Sequence, residues 1–246
     1  MLRAAPLWVQ IAIGVLCALT VLAALNLAYQ VIRKPTEMFF PVSGTLMKMP
    51  AETWRQYEPL FRANATAAIT PELLAALAQV EASGNPVART YWRWRFSWNP
   101  FEIYRPASSA VGMYQMTDGA FAEARRYCIR HHAVVADGPW HDMGSCWFNS
   151  LYTRVLPSHA VELAAVYLDR NVADILGRRP GAAATPQQKQ DLAAMIHLCG
   201  AGPADAYARR GFRLAPGQRC GDHEVAGYLA RVNAMKRQFL RWAATE

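Results

Sequence analysis

A glutamate that closes an amphipathic helix is the residue of this 246-residue chain best placed for acid–base chemistry. Thr70-Pro71-Glu72 offers a hydroxyl N-cap, a proline at the first helical position and an acid in the first turn, and Gly84-Asn85-Pro86 offers a stop. Between them Leu74, Leu77 and Glu81 return to one helical angle, so an acid stands on the face that apolar residues bury. Burial and the negative end of the helix dipole both disfavour a carboxylate there, and the spacing therefore predicts a raised pKa for Glu81. A carboxylic acid still protonated near neutral pH can give its proton to the leaving oxygen of a glycosidic bond. The competing reading is a core glutamate satisfied by a backbone donor or an arginine.

Other residues bear on the same chemistry. Ser108-Ser109-Ala110-Val111-Gly112-Met113-Tyr114-Gln115-Met116-Thr117 sets a glycine, an aromatic ring and an amide just ahead of a helix, a common way to line a cleft. The segment from Arg89 to Pro100 carries Tyr91, Trp92, Trp94, Phe96 and Trp98 interleaved with Arg93 and Arg95. Such a segment can stack on sugar faces, plug a loop onto a core, or stack on bases while arginines take phosphates. A hydrolase working through Glu81 needs a second carboxylate, and Glu102 and Asp118 are the nearby candidates. For Glu102 the bland alternative is an ion pair with an arginine of that segment. Of the five cysteines, Cys17 lies in an apolar run, and Cys128, Cys146, Cys199 and Cys220 form two local pairs. An even number in local pairs suits an oxidising compartment, and proximity favours Cys128 with Cys146 and Cys199 with Cys220. A zinc site from Cys128, His131, His141 and Cys146 is the alternative.

The elements that must position these residues are mainly helical. The apolar period predicts helices from Thr117 to Ile129, Ser158 to Leu176 and Pro186 to Leu198. A last helix follows Asp222, with Val225, Tyr228, Leu229, Val232, Met235 and Phe239 as a core stripe and Arg231, Lys236 and Arg237 toward water. No segment of strand period has convincing length, although a short hairpin between Tyr91 and Tyr104 is compatible with the pattern. From Leu7 to Ile32 there is no charged side chain, a length of about 39 Å at helical rise, enough to cross a bilayer. A cleaved signal peptide is the rival, but the run exceeds the usual apolar region and no clear cleavage site closes it. The chain thus divides into a membrane anchor at 1–34 with 7–32 spanning, a linker and lead-in helix at 35–65, and a globular domain at 66–246. The net charge of +8 suits polyanionic surroundings, whether nucleic acid, anionic lipid or cell wall.

Glu81-Ala82-Ser83-Gly84-Asn85-Pro86, Gly112-Met113-Tyr114-Gln115 and Gly200-Ala201-Gly202-Pro203, in that order, resemble the soluble lytic transglycosylases and goose-type lysozymes. Tyr228-Leu229-Ala230-Arg231-Val232 is similar to the family's closing helix, so the resemblance spans residues 66 to 240. It implies a lysozyme-like fold that cleaves the β-1,4 bond between N-acetylmuramic acid and N-acetylglucosamine without a cofactor. Glu81 would be acid and then base, Gln115 would bind saccharide, Gly112 and Met113 would shape the cleft wall, and Ser83, Ser109, Tyr114 and Glu102 would lie along it. The product would be a 1,6-anhydro sugar, or a reducing end if the enzyme is a hydrolytic muramidase. Cys199 and Gly200 stand where the family has tyrosine and asparagine, so an assisting hydroxyl is missing. Tyr207, Tyr114 and Tyr104 are the replacements on offer, and a non-catalytic wall-binding scaffold stays open. The implied setting is the bacterial inner membrane with the domain in the periplasm. The implied partner is peptidoglycan, not nucleic acid, with a secretion, pilus or other envelope assembly as a further association by family.

Overall fold

The computed structural model describes residues 6–136, 138–142, 144–179 and 183–245. Its first helix, α1 (Leu7–Arg33), is long and apolar enough to cross a membrane, and its apolar side chains are exposed along its length. Helices α2 (Pro50–Ala63), α3 (Pro71–Ala82), α4 (Pro100–Ile103), α5 (Asp118–Ala124), α6 (Pro157–Gly177), α7 (Pro186–Cys199), α8 (Ala201–Arg209) and α9 (Val225–Ala243) make up a mainly helical body. Three antiparallel two-stranded ribbons complete it: β1 (Trp92–Trp94) with β2 (Tyr104–Pro106), β3 (Tyr127–Arg130) with β4 (Ala133–Ala136), and β5 (Arg219–Cys220) with β6 (His223–Glu224).

The body is built around α3. Leu73 through Ala78 are all buried, so this helix is enclosed rather than laid on a surface, and α2, α6 and α9 pack on it. Three alanines in that stretch let the neighbouring helices come close, while Leu73, Leu74 and Leu77 fill the space between them. Thr70 caps the helix by accepting a hydrogen bond from the Leu73 amide, as its sequence predicts.

Several expectations from sequence are corrected. The helix expected from Thr117 to Ile129 stops at Ala124, and Tyr127–Arg130 becomes a strand. Arg130 pairs with Ala133 across the two-residue turn His131-His132, whose φ angles of 49° and 61° are those a tight hairpin requires. Turns of that type ordinarily announce themselves as Asn-Gly, which this sequence lacks. The last helix starts at Val225 with Glu224, not Asp222, accepting from the Gly227 amide. Lys236, placed toward water by its helical angle, is 5% exposed, because Gln187 and Gln190 of α7 take its ammonium at 2.7 and 2.5 Å. Within 35–65, read as linker and lead-in helix, the helix forms as α2 and packs on α3 and α6. Trp54, Tyr57 and Phe61 of α2 belong to the core, and fully buried Glu37 meets Arg89 at 2.6 Å, Trp92 Nε1 at 2.8 Å and Lys34 at 3.1 Å.

Gly112 shows how tightly the loops close. Its φ is +79°, and a Cβ there would lie 2.1 Å from the Arg154 carbonyl oxygen and 3.2 Å from that of Pro86. Gly112→Ala is expected to destabilise the fold by at least the roughly 1–3 kcal/mol of a left-handed non-glycine residue, checked by denaturant unfolding of the detergent-solubilised chain.

Candidate active site

The end of α3 is fixed from several sides. The Ser83 and Gly84 amides donate to Gln79 O and Ala78 O, with Ser83 itself left-handed at φ 50°. Thr53 of α2 donates to Gln79 Oε1 at 2.6 Å, and Gln79 Nε2 donates to Lys48 O at 3.1 Å. Gly84 is required where it stands, since a Cβ would meet Thr53 Oγ1 at 2.2 Å. Asn85 then turns the chain, donating to Ser43 O while its Oδ1 accepts from the Val87 amide. Glu81, on the final turn, has no freedom to wander.

The glycine-containing loop packs beside this turn. The Gly112 amide donates to Ala88 O, and Val111 bridges both Arg89 and Met116. Arg154 staples the loop by donating to Ser109 O at 3.0 Å and Met116 O at 2.8 Å while pairing with Asp118 at 2.8 Å. Nothing in the sequence singled out Arg154.

Two side chains converge on Glu81. The Tyr228 hydroxyl of α9 donates to Oε1 at 2.5 Å, and His197 Nε2 of α7 lies 3.4 Å from the same oxygen. No described residue bonds Oε2. The Glu81 side chain is 18% exposed and that of His197 11%, so the cluster is mostly desolvated with one side open. His197 also lines a cavity of about 260 Å³ together with Gln115, Thr117, Tyr167, Cys199 and Gly200. Gln115 of the second motif and Gly200 of the third therefore meet on one cavity, which Glu81 does not itself line; His197, touching both, links them.

The electrostatics correct the sequence-based expectation. Burial does push the Glu81 carboxyl upward and is the largest single influence, but it is outweighed. The His197 charge and hydrogen bond, the Tyr228 hydroxyl and the more distant charge of His223 together hold it below the usual glutamate value. Tyr228 is pushed well above the ordinary tyrosine range by its burial and then by the Glu81 charge, so it remains a protonated donor.

Comparison with known proteins finds no matching family model and no matching curated protein. The site must be read from its own residues.

The other sequence candidates fall in different places. Gln115 lines the cavity, with φ 43° and its amide nitrogen donating to Ala88 O and Gly112 O, which leaves its Oε1 as the polar atom not used by the loop. Met113 and Tyr114 are 0% and 1% exposed and point into the core, with the Tyr114 hydroxyl on Leu74 O, so neither side chain shapes a cleft wall. Ser83 serves as the helix cap, and the Ser109 hydroxyl accepts from the Asp118 amide. Tyr207 packs edge-on against Phe212, and Tyr104 stacks with Trp94, so neither replaces the missing hydroxyl. Tyr228 supplies the hydroxyl instead. Its helical stripe marked it as core, which it also is, at 3% exposure; nothing in the periodicity separates a core tyrosine from one whose oxygen reaches an acid. Glu102 is held between Arg33 at 3.5 Å and Arg105 at 3.8 Å, arginines on either side of the aromatic segment, not within it.

Both disulfides form with the pairing that proximity favours, Cys128–Cys146 and Cys199–Cys220. The first consumes the thiols a zinc site would need. The second ties the end of α7, two residues past His197, to the β5–β6 ribbon that leads through His223 into α9 and Tyr228. Removing it as the paired Cys199→Ser, Cys220→Ser change is expected to cost about 3 kcal/mol by loop closure over a sequence separation of 21, read as a lower unfolding midpoint.

Proposed function

We propose that this chain is a peptidoglycan lytic transglycosylase with Glu81 as its acid and base, in a lysozyme-like domain anchored to the bacterial inner membrane by α1 and facing the periplasm. The observation that carries the reading is the desolvated carboxylate of Glu81, with two donors on Oε1 and no described residue on Oε2, touching a histidine that lines a cavity with Gln115 and Gly200. The family resemblance and the two disulfides, which suit an oxidising compartment, support it.

The low carboxyl of Glu81 asks where the acid's proton comes from. His197 Nε2, 3.4 Å from Glu81 Oε1 in a site that water still reaches, is the group placed to hand over a proton. A glycan strand covering the cavity removes that water, and two opposed charges then become more costly than a neutral imidazole beside a neutral acid. The proton passes from Nε2 to the carboxylate and on to the glycosidic oxygen as the C1–O bond breaks, its electron pair leaving with that oxygen. The N-acetyl group of the substrate stabilises the sugar cation. Glu81, again a carboxylate, then takes the proton of the muramic 6-hydroxyl as O6 bonds to C1, giving the 1,6-anhydro sugar. One carboxylate acts twice, and no second acid is needed.

That economy argues against a hydrolytic muramidase. The carboxylates of Glu102 and Asp118 are engaged by Arg33 and Arg105 and by Arg154, and neither contacts Glu81 or its partners His197 and Tyr228. A different reading draws on the same low carboxyl: a peptidoglycan-binding scaffold in which Glu81 only accepts hydrogen bonds from sugar hydroxyls.

Incubation of purified peptidoglycan with the detergent-solubilised chain, followed by mass analysis, separates the three. Anhydromuropeptides are expected, with at least about a hundredfold less from Glu81→Gln, as suits loss of a general acid–base group. Reducing-end products would assign a hydrolase, and binding without release by folded protein would assign the scaffold.

A further inference from the structure

The aromatic and arginine-rich segment is the part of the molecule that the proposed chemistry leaves unused. No residue between Arg89 and Pro106 lines the cavity beside His197. Nor does its tip plug a core, since Trp94, Phe96 and Trp98 are 76%, 87% and 94% exposed. Arg93 and Arg95 are exposed beside them.

The base of the segment is bound to α1. Asn26 Nδ2 donates to Tyr104 O at 2.8 Å, Gln30 Nε2 donates to Phe101 O at 2.6 Å, and the Tyr29 and Phe101 rings stack at 4.9 Å. A cavity of about 420 Å³ between the two is lined by Ala23, Leu27, Phe40, Tyr91, Trp92 and Tyr104. Depth along α1 gives these contacts a meaning. The stretch Leu7 to Leu25 rises about 28 Å, close to the hydrocarbon thickness of a bilayer. With Leu7 to Leu25 filling the hydrocarbon, Asn26 to Arg33, the part that holds the segment, would stand at the headgroup level.

We infer that the β1–β2 ribbon and its exposed tip form a second membrane contact, an aromatic belt that seats Trp94, Phe96 and Trp98 among the headgroups and upper acyl chains of an anionic bilayer. The inference rests on the reading of α1 as a membrane span. Tryptophan and tyrosine favour that zone because an apolar ring and a polar edge are both satisfied there. Arg33 and Arg105 meet at Glu102, Arg93 stands opposite Arg105 on the ribbon and Arg95 follows it, a cluster that anionic headgroups would attract, and arginine stems can lie along the acyl region with their charge in the interface. The contact would hold the body in one orientation, since α1 alone leaves it free to swivel about the helix axis.

The full chain reconstituted in vesicles of phosphatidylglycerol and phosphatidylcholine, the latter brominated near the top of its acyl chains, tests this through tryptophan quenching. Trp8 reports the insertion of α1 and Trp94 with Trp98 report the tip. Bromination is expected to quench wild type, the quenchable emission falling in Trp8→Phe and falling by a further, larger part in Trp94→Phe/Trp98→Phe. If Trp8 accounts for all quenchable emission and the double variant changes nothing, α1 spans but the belt is wrong. If even the Trp8 contribution is absent, the span reading fails and takes the belt with it. A shift of wild-type emission on adding soluble glycan fragments, lost in the double variant, would overturn the belt in favour of a saccharide surface.

Discussion

The contact between Glu81 and His197 is the constraint around which the body is arranged. A carboxylate in a nearly closed site needs a counter-charge or a donor, and here the two sit on one oxygen: His197 at 3.4 Å and the Tyr228 hydroxyl at 2.5 Å. Those partners come from α7 and α9, so the ends of three helices must meet within a few ångströms. The enclosure of α3, the clamp of Thr53 and Gln79 at its end, and the Cys199–Cys220 link between α7 and the ribbon entering α9 all hold that meeting point.

A second buried charge does comparable work at the α1 end of the body. Glu37 has no exposure and is met by Lys34, Arg89 and Trp92, which bind the segment after α1 to the start of the aromatic ribbon. Losing either cation would leave the buried carboxylate with one counter-charge in place of two, which ties the two halves of this network together. Through it, the end of α1 is fixed to the body and does not hang on a loose tether.

The helices were legible wherever caps and apolar period agree, as at Thr70-Pro71 for α3, where the threonine caps as its sequence reads. The short ribbons were not. The β3–β4 ribbon depends on a His-His turn and the Cys128–Cys146 cross-link, neither of which leaves a periodic signal over so few residues. Glu81 was legible as an acid on a buried face, but the direction of its pKa was not, because helix position reveals burial and dipole and says nothing of a histidine that arrives from a helix more than a hundred residues later. Tyr228 was hidden in plain view within a core stripe. Lys236 misled for the matching reason: a helical angle assigns a residue to a face, and only tertiary packing shows that Gln187 and Gln190 are waiting there.

The claim on which most depends is that His197 sets the charge of Glu81. Carbon-13 titration of glutamate carboxyls in wild type and His197→Gln, with Glu81→Gln to assign the signal, measures it directly. The account predicts that Glu81 titrates below an ordinary glutamate in wild type and rises markedly in His197→Gln, where burial is no longer outweighed. An unchanged value in His197→Gln, or a raised one already in wild type, would contradict it.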